Sequence, residues 1–256
     1  MSAEAKQRLD QALVARGLVS SRERARALIR AGKVRVGDQV QTKAGFAVAA
    51  DAAVTVDEPD HPYVGRGGLK LAHALDTFAI DPAGRDCLDI GASTGGFTDV
   101  CLQRGARHVV ALDVGHNQLD WKLRNDPRVT VLERVNARAL TPDQLPEAHR
   151  RFALITIDVS FISLRHIFPV LPALSEPAGG ASPRTDIVAL VKPQFEAGRG
   201  DVESGGIVRD ARVHERVVEE VTQAAADAGL ARRGLTPSPI TGAEGNQEFL
   251  LWLQPV

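Results

Sequence analysis

The chain has 256 residues, of which 44% are hydrophobic and 25% are charged, and its formal net charge is −1. This composition is typical of a soluble globular protein that is long enough for one sizeable core and a small extra module. No apolar run approaches the roughly 18 residues of a membrane-spanning helix, and the N-terminus lacks the apolar core of a signal peptide. The sequence therefore predicts a cytoplasmic protein with no membrane partner.

Positive charge is concentrated at the start of the chain. Residues 1–43 hold ten Lys or Arg and four Asp or Glu, whereas the rest of the chain is net acidic. One helix is predicted over Gln7–Arg16, and a second begins at a capping box of Ser20 and Glu23. Such charge asymmetry indicates an arm that meets nucleic acid or an acidic membrane surface.

The second predicted helix carries a row of arginines. Arg22, Arg26 and Arg30 are spaced four residues apart, so they share one face of the helix. A β-hairpin is predicted over residues 33–40, where valines alternate with basic residues. A solvated charged face is the ordinary interpretation of such a row. The excess of one sign favours RNA or DNA phosphates instead.

This segment resembles the small α+β RNA-binding module shared by ribosomal protein S-four and pseudouridine synthases. The matching residues are Arg8-Leu9-Asp10, Leu13-Val14, Arg16-Gly17, Ser21-Arg22, Ala25, Ile29, Gly32, Val34 and Val36-Gly37. The resemblance implies RNA contacts by Arg8, Arg22, Arg26, Lys33 and Arg35. Residues 57–62 combine acids with two prolines, which predicts a stiff linker. The expected limits are 1–58 for the module, 59–66 for the linker and 67–256 for a second domain.

The second domain is predicted to be an α/β fold in which strands alternate with helices. Strands are expected near 87–90, 109–113, 129–133, 153–158 and 187–191, with a last pair between 230 and 253, and helices near 96–104, 118–125, 161–174 and 210–228. A helix opened by Gly65–Lys70 should precede them, and a lone lysine such as Lys70 is ordinarily exposed there. In such a sheet, ligands bind outside the carboxyl ends of the strands.

A glycine-rich loop follows the first of these strands, at Gly91-Ala92-Ser93-Thr94-Gly95-Gly96. Its spacing is neither that of the dinucleotide fingerprint nor that of a P-loop, which disfavours pyrophosphate. Asp113 ends the next strand, about 20 residues later, where a carboxylate can accept hydrogen bonds from ribose hydroxyls. S-adenosylmethionine is the favoured ligand, and another nucleotide or an ordinary βα turn stay open. Its predicted contacts are Asp89, Gly91, Ser93, Thr94, Gly95, Gly96, Phe97, Asp113, Asn136 and Asp158.

Charged residues stand at three further strand ends, at Asp158, Lys192 and Glu248. A buried charge is costly unless it is paired, so these residues are catalytic candidates, with a structural ion pair as the alternative. An alcohol acceptor needs a base or cations that stabilise the alkoxide, and Lys192, beside the second cation Lys70, is assigned that task. Asp158 would position the lysine, and Glu248 would hold the network. Cys87 and Cys101 lack metal-ligand spacing, so reduced thiols and no metal site are expected.

Almost the whole chain resembles the TlyA family, also called haemolysin A, in which the RNA-binding module is joined to an FtsJ-type ribose 2′-O-methyltransferase domain. The residues that carry the resemblance are Gly67-Gly68, Lys70-Leu71, Asp89–Asp99, Asp113–Gly115, Gln118-Leu119, Asp158–Leu164, Leu190–Glu196, Gly206–Asp210, Gly245-Asn246 and Glu248-Phe249. The resemblance implies a Rossmann-like class I methyltransferase sheet of about seven mostly parallel strands. It also implies a ribosomal RNA or ribosomal subunit partner, a cytidine ribose as acceptor, and a catalytic set of Lys70, Asp158, Lys192 and Glu248. A non-catalytic ribosome-assembly factor and a membrane-acting haemolysin are the alternatives.

Overall fold

The computed structural model describes residues 6–19, 21–56, 61–176, 184–198, 200–203, 205–242 and 245–256. The chain divides into two compact units, Met1–Pro62 and Tyr63–Val256. Ser20 and part of the expected linker, residues 59 and 60, lie outside the described residues.

The first unit is a small α+β module. Its helices are α1 (Leu9–Ala15) and α2 (Arg22–Arg30), and its strands are β1 (Gln7–Arg8), β2 (Val34–Val36), β3 (Gln39–Val40), β4 (Ala47–Val48) and β5 (Val54–Val56). The strands β2 and β3 pair antiparallel, which confirms the predicted hairpin, and β5 adds to the other edge of β2. Leu9, Leu13 and Ile29 are buried in a core that both helices share with the sheet.

The cap of α2 differs from the prediction. Ser21 has extended backbone angles, and its hydroxyl accepts a hydrogen bond of 3.2 Å from the Arg24 backbone N–H. The capping box predicted at Ser20 and Glu23 is therefore wrong by one residue, because the second of two consecutive serines takes the cap position.

The second unit is built on a seven-stranded sheet. Its strands are β6 (Asp86–Ile90), β7 (His108–Asp113), β8 (Val129–Glu133), β9 (Leu154–Ile157), β10 (Asp186–Val191), β11 (Leu230–Pro237) and β12 (Phe249–Pro255). The order across the sheet is β11-β12-β10-β9-β6-β7-β8, and only the pairs made by β12 are antiparallel. The predicted sheet of about seven mostly parallel strands is confirmed.

Helices cover both faces of this sheet. They are α3 (Gly67–Phe78), α4 (Gly96–Gln103), α5 (Trp121–Arg124), α6 (Leu171–Leu174), α7 (Pro193–Glu196) and α8 (Ala211–Asp227). Two apolar clusters form the core, and alternate residues of β6 serve them: Leu88 and Ile90 pack in one, Cys87 in the other.

Two predicted helices are shorter than expected. Residues 161–174 form two short 3-10 turns followed by α6, because Pro169 and Pro172 lack the N–H groups that a continuous helix needs. The segment also begins with Phe161 at a left-handed φ of +62°. The helix predicted over 118–125 is reduced to α5, which Asp120 caps through a bond to the Lys122 N–H.

Candidate active site and RNA-binding surface

The glycine-rich loop connects β6 to α4 and packs tightly against its neighbours. Gly91 has φ +84° and Gly95 has φ +96°, which favours glycine at both positions. A Cβ on Gly91 would overlap the carbonyl oxygen of Asp158, and one on Gly95 would overlap the side chain of Leu123. A Cβ on Gly96 would lie 2.9 Å from the Gly68 backbone nitrogen. The absence of Cβ atoms at these glycines therefore lets the loop pack closely against neighbouring segments of the protein, and it also leaves room for a ligand.

A cleft opens beside this loop and has two adjoining parts. The larger part is a cavity of about 480 Å³ that Asp113 and Asn136 help to line, and the smaller is a cavity of about 210 Å³ that Lys70 and Lys192 help to line. Gly91, Ser93, Asp158 and Ser160 border both. The carboxyl ends of β6, β7, β9 and β10 thus meet at one cleft, as the strand-end argument predicts.

Asp113 is oriented by the backbone around it. Its two carboxylate oxygens accept hydrogen bonds from the Ser93 N–H at 2.8 Å and the Gly115 N–H at 2.6 Å. An ionised carboxylate offers about four acceptor positions, so each oxygen can still take a ribose hydroxyl. Asn136 caps a 3-10 turn by accepting from the Arg138 N–H at 3.0 Å. A fixed acceptor at the edge of a nucleoside-sized cavity fits the ribose of S-adenosylmethionine.

Most of the other predicted cofactor contacts also border the cleft. Ser93, Thr94, Gly96 and Phe97 line the smaller part beside Gly91. Gly95 borders neither part, because it faces the side chains of Leu119 and Leu123.

Asp89 also lies away from the surface of the cleft. It is fully buried and accepts hydrogen bonds from the hydroxyls of Thr98, at 2.7 Å, and Thr156, at 2.9 Å. Burial raises the pKa of Asp89 to about 6, although the two threonine hydroxyls oppose the shift, and the charge of Asp158 adds to it. Asp89 borders neither part of the cleft, and its carboxyl ties β6 to β9 and α4 beneath the loop. Its contact with the cofactor stays a prediction.

The raised pKa of Asp89 makes the second unit less stable as pH rises. Below about pH 4 the carboxyl is protonated whether the chain is folded or not, and above its folded pKa of about 6 its buried charge carries the full penalty. Between pH 4 and pH 6 the native protein therefore loses free energy of unfolding that Asp89→Asn keeps. We expect the difference in free energy of unfolding, variant minus native, to increase by about 3 kcal/mol over this range. Urea unfolding followed by tryptophan fluorescence measures this, because Trp121 and Trp252 are the two tryptophans and both lie in the second unit. A difference between the two proteins that stays constant with pH contradicts the prediction.

The four predicted catalytic residues form two ion pairs at the smaller cavity. Nζ of Lys192 lies 2.6 Å from Oδ1 of Asp158, and Nζ of Lys70 pairs with Oε2 of Glu248. Lys70 and Lys192 are 8% and 9% exposed, and Glu248 is 2% exposed. The expectation that a lone lysine at position 70 is exposed is wrong, since Glu248, the residue just before β12, compensates its burial. Asp158 and both lysines border one cavity, with Glu248 behind Lys70.

Two further residues of the cleft are absent from the predicted set. Ser160 accepts a hydrogen bond of 2.9 Å from Nζ of Lys192. Phe161 is 91% exposed, borders the larger cavity, and has its ring centroid 5.0 Å from that of Phe195. Both follow Asp158 in the segment that carries the family resemblance, and only this proximity could have indicated them.

The buried thiols lie away from this chemistry. Cys87 and Cys101 are buried free cysteines, and neither borders the cleft. The hydrogen bond between the two thiols and the burial of Cys101 raise the pKa of the Cys101 thiol well above its usual range. A thiol in that state is a poor nucleophile, which disfavours methylation through a covalent cysteine adduct.

In the first unit, three of the predicted RNA-binding arginines converge on one buried carboxylate. Asp10 is fully buried and accepts hydrogen bonds from Nε of Arg8 at 3.0 Å, from Arg22 at 3.3 Å and from Nε of Arg26 at 3.1 Å. The arginines hold the pKa of Asp10 well below its usual range. Each arginine side chain is about half exposed. The cluster therefore presents three guanidinium groups, with a net charge of +2, on one surface; we call it the arginine cluster.

The remaining predicted RNA contacts lie on the hairpin. Arg35 belongs to β2 and donates a hydrogen bond of 3.2 Å to the carbonyl oxygen of Asp38, and Lys33 precedes that strand. Arg30, the third member of the predicted arginine row, is exposed at the end of α2 and is not among the residues bonded to Asp10.

The sheet order, the glycine loop after β6 and the acidic residue that ends β7 together define a class I methyltransferase. Residues 63–255 match the FtsJ-like methyltransferase family, and residues 7–54 match the S4 domain. The chain belongs to the FtsJ-like methyltransferase family, in the group of TlyA and hemolysin A proteins that join this domain to an S4 domain.

Several relatives resemble the chain over nearly its whole length. The 16S/23S rRNA (cytidine-2′-O)-methyltransferase TlyA of Mycobacterium tuberculosis is 50% identical over 96% of this chain and 89% of that protein. Hemolysin A of Brachyspira hyodysenteriae is 42% identical over 95% of this chain and 98% of that protein. The solved structure of a candidate hemolysin from Streptococcus thermophilus has a TM-score of 0.75 and 42% identity, and covers 99% of this chain and 90% of that one. Within the described ranges, no helix is long and apolar enough to cross a membrane.

Proposed function

We propose that this protein transfers the methyl group of S-adenosylmethionine to the 2′-hydroxyl of a cytidine ribose in ribosomal RNA. The observation that carries this proposal is the cleft, in which two buried lysines border a cavity that adjoins the one holding Asp113. The methyltransferase relatives that share half of this sequence, and whose names specify rRNA cytidine 2′-O-methylation, support the same acceptor. A ribosomal RNA substrate also supports the cytoplasm as the place of action.

The larger cavity suits the nucleoside end of the methyl donor. We assign the ribose hydroxyls to Asp113, whose carboxylate is already fixed by two backbone N–H groups. Asn136 borders the same cavity, and we assign it to the adenine. The loop residues that border the smaller cavity, which we assign to the methionine part, are Gly91, Ser93, Thr94, Gly96 and Phe97. Bound S-adenosylmethionine supplies an electrophilic methyl group on its sulfonium, so the protein needs only to orient and deprotonate the acceptor.

Lys192 is the group that we assign to the acceptor proton. Its amine borders the smaller cavity, where it can contact the 2′-oxygen and accept the hydroxyl proton as that oxygen takes the methyl group. The Asp158 carboxylate, 2.6 Å away, stabilises the ammonium ion that results. Lys70 provides a second positive charge that stabilises the developing alkoxide, and Glu248 keeps Lys70 in place.

The experiment that tests the proposed function uses labelled S-adenosylmethionine and ribosomal subunits that lack the modification. After incubation with the protein, the RNA is hydrolysed in alkali, which cleaves next to every free 2′-hydroxyl. We expect the label in a dinucleotide that resists alkali and contains cytidine. Label only in bases or in protein would show that the acceptor is not a ribose.

Phe161 provides a surface for a base of the RNA. Its exposed ring sits at the border of the cleft, two residues after Asp158 and against Phe195. Bases that leave the RNA stack bind such rings, with about 1–3 kcal/mol per stacked base. We expect Phe161→Ala to raise KM for RNA by about 10- to 100-fold while the affinity for S-adenosylmethionine stays unchanged. The exposed Trp121, which does not border the cleft, offers a matched control as Trp121→Ala; equal effects of both variants contradict the assignment.

A further inference from the structure

Lys192 has two polar neighbours in the cleft, and they differ in kind. Its Nζ lies 2.6 Å from Oδ1 of Asp158 and donates a hydrogen bond of 2.9 Å to Oγ of Ser160. The contact with Asp158 is an ion pair with a carboxylate, whereas the contact with Ser160 is a hydrogen bond to a neutral hydroxyl. Nζ is therefore held by two polar groups, and Ser160 is the one that accepts without carrying a charge.

The backbone conformation beside Ser160 restricts where its hydroxyl can lie. The next residue, Phe161, has a left-handed φ of +62°. This backbone conformation is strained for a bulky residue and persists only when the surrounding structure holds it. The Phe161 ring contacts Phe195 at a centroid distance of 5.0 Å. Phe195 belongs to α7, which begins directly after Lys192. The contact therefore ties the loop of Ser160 to the segment of Lys192.

A second contact holds the same loop from the other side. Glu196, the last residue of α7, accepts hydrogen bonds from the Ser163 hydroxyl at 2.6 Å and from the Leu164 N–H at 2.7 Å. Burial raises the pKa of Glu196, and these two donors oppose the shift. The short helix after Lys192 thus clamps the loop that carries Ser160 at two points, which keeps the hydroxyl beside the amine.

The position of these two partners decides where the amine of Lys192 can act. To act as a base, Lys192 must first release the proton of its ammonium form to solvent. The neutral primary amine that results has two N–H groups and one lone pair in a tetrahedral arrangement. When one N–H points to Ser160 and the other faces Asp158, the lone pair takes the position that remains, toward the cavity that Lys192 borders. A base accepts a proton only when its lone pair lies along the hydrogen bond from the acceptor hydroxyl. Without Ser160 the amine can rotate about its Cε–Nζ bond.

We propose that Ser160 is a positioning residue that aims the Lys192 amine at the acceptor hydroxyl. The inference rests on the proposed 2′-O-methyl transfer and adds a residue to the set of Lys70, Asp158, Lys192 and Glu248. Ser160 itself takes no proton and forms no bond to the substrate. Its hydroxyl oxygen only accepts a hydrogen bond from one N–H of Lys192, which keeps that N–H pointing away from the cavity.

The test is a comparison of Ser160→Ala with Ser160→Thr in the full-length protein. We expect Ser160→Ala to lower kcat by about 100-fold, as a misdirected catalytic group does, with KM for RNA and Kd for S-adenosylmethionine within about twofold of the native values. Ser160→Thr keeps the hydroxyl and restores kcat to within a few-fold. Because the hydroxyl accepts a hydrogen bond from the ammonium form more strongly than from the amine, we also expect the pH–rate profile of Ser160→Ala to move to lower pH.

Ser163→Ala is the control for loosening of the loop, since it removes a hydroxyl that holds this loop to Glu196 and leaves the Ser160 hydroxyl itself in place. Equal losses of kcat in Ser160→Ala and Ser163→Ala, with no movement of either pH–rate profile, would mean that only the loop is damaged and would overturn the inference. A native kcat and pH–rate profile in Ser160→Ala would overturn it as well. The native protein, in the same assay, tests the proposed function separately. If it makes alkali-resistant label, that function holds even when the Ser160 inference fails, and if it makes none, the proposed function itself is refuted.

Discussion

Replacing Lys192 with alanine is expected to lower methyl transfer to ribosomal RNA by about 10³-fold while S-adenosylmethionine still binds. The variant removes the amine that borders the acceptor cavity, and leaves Asp113 and its two backbone donors intact. Single-turnover methylation measures the chemical step, and calorimetry measures binding of the cofactor. Lys192→Arg is expected to be equally inactive, because a guanidinium group keeps the charge but does not give up its proton in this pH range.

Lys122→Ala is the control for the loss of a lysine. The Lys122 side chain is 70% exposed and its partner Asp99 lies 3.8 Å away, outside the cleft. We expect a native rate from it. Loss of cofactor binding in Lys192→Ala, together with a lower melting temperature, would instead assign Lys192 to a structural ion pair with Asp158.

The placement of the cleft could be predicted because it follows from topology. Parallel strands end at the same edge of a sheet, so Asp113, Asp158 and Lys192 had to approach each other once their strands were identified. Periodicity and apolar runs identify those strands, and the structure places all three residues around one cleft.

The pairings within the cleft could not be predicted in the same way. Lys70 and Glu248 are 178 residues apart, and local pattern gives no sign that one will compensate the burial of the other. Asp89 illustrates the opposite case, since a carboxyl at a strand end suggests a ligand contact, yet Thr98 and Thr156 turn it inward. Alternation along β6 places Asp89 on the same face as Cys87, and only the packed structure shows that threonine hydroxyls lie next to it there.

The arginine cluster shows why a charge row is a weak guide to geometry. Helical spacing places Arg22, Arg26 and Arg30 on one face, whereas the structure bonds only the first two to Asp10 and adds Arg8 from β1. The resemblance identified Asp10 as part of a motif without assigning it a task. Its burial among three guanidinium groups indicates that it sets their spacing, because an unpaired buried carboxylate would be strongly unfavourable.

Neutralising two members of the arginine cluster is expected to weaken binding to ribosomal RNA by about 10- to 100-fold at physiological salt. The variant is Arg22→Gln combined with Arg26→Gln. Arg8 still contacts both carboxylate oxygens of Asp10, at 3.0 and 3.3 Å, so the buried charge keeps a partner and the unit keeps its fold. If each lost arginine contacts a phosphate, the slope of log affinity against log salt becomes shallower by about 1.5 to 2.

The matched control removes the same charge from the same helix. Arg24→Gln combined with Arg30→Gln leaves all three hydrogen-bonding arginines of Asp10 in place. Filter binding across a salt series measures both variants, and calorimetry with S-adenosylmethionine shows whether the second unit is intact. If affinity for RNA depends only on total charge, the two double variants show the same loss of RNA affinity. A larger loss and a shallower slope for Arg22→Gln with Arg26→Gln mean that phosphate binding depends on the arrangement around Asp10, since charge, helix and number of substitutions are equal.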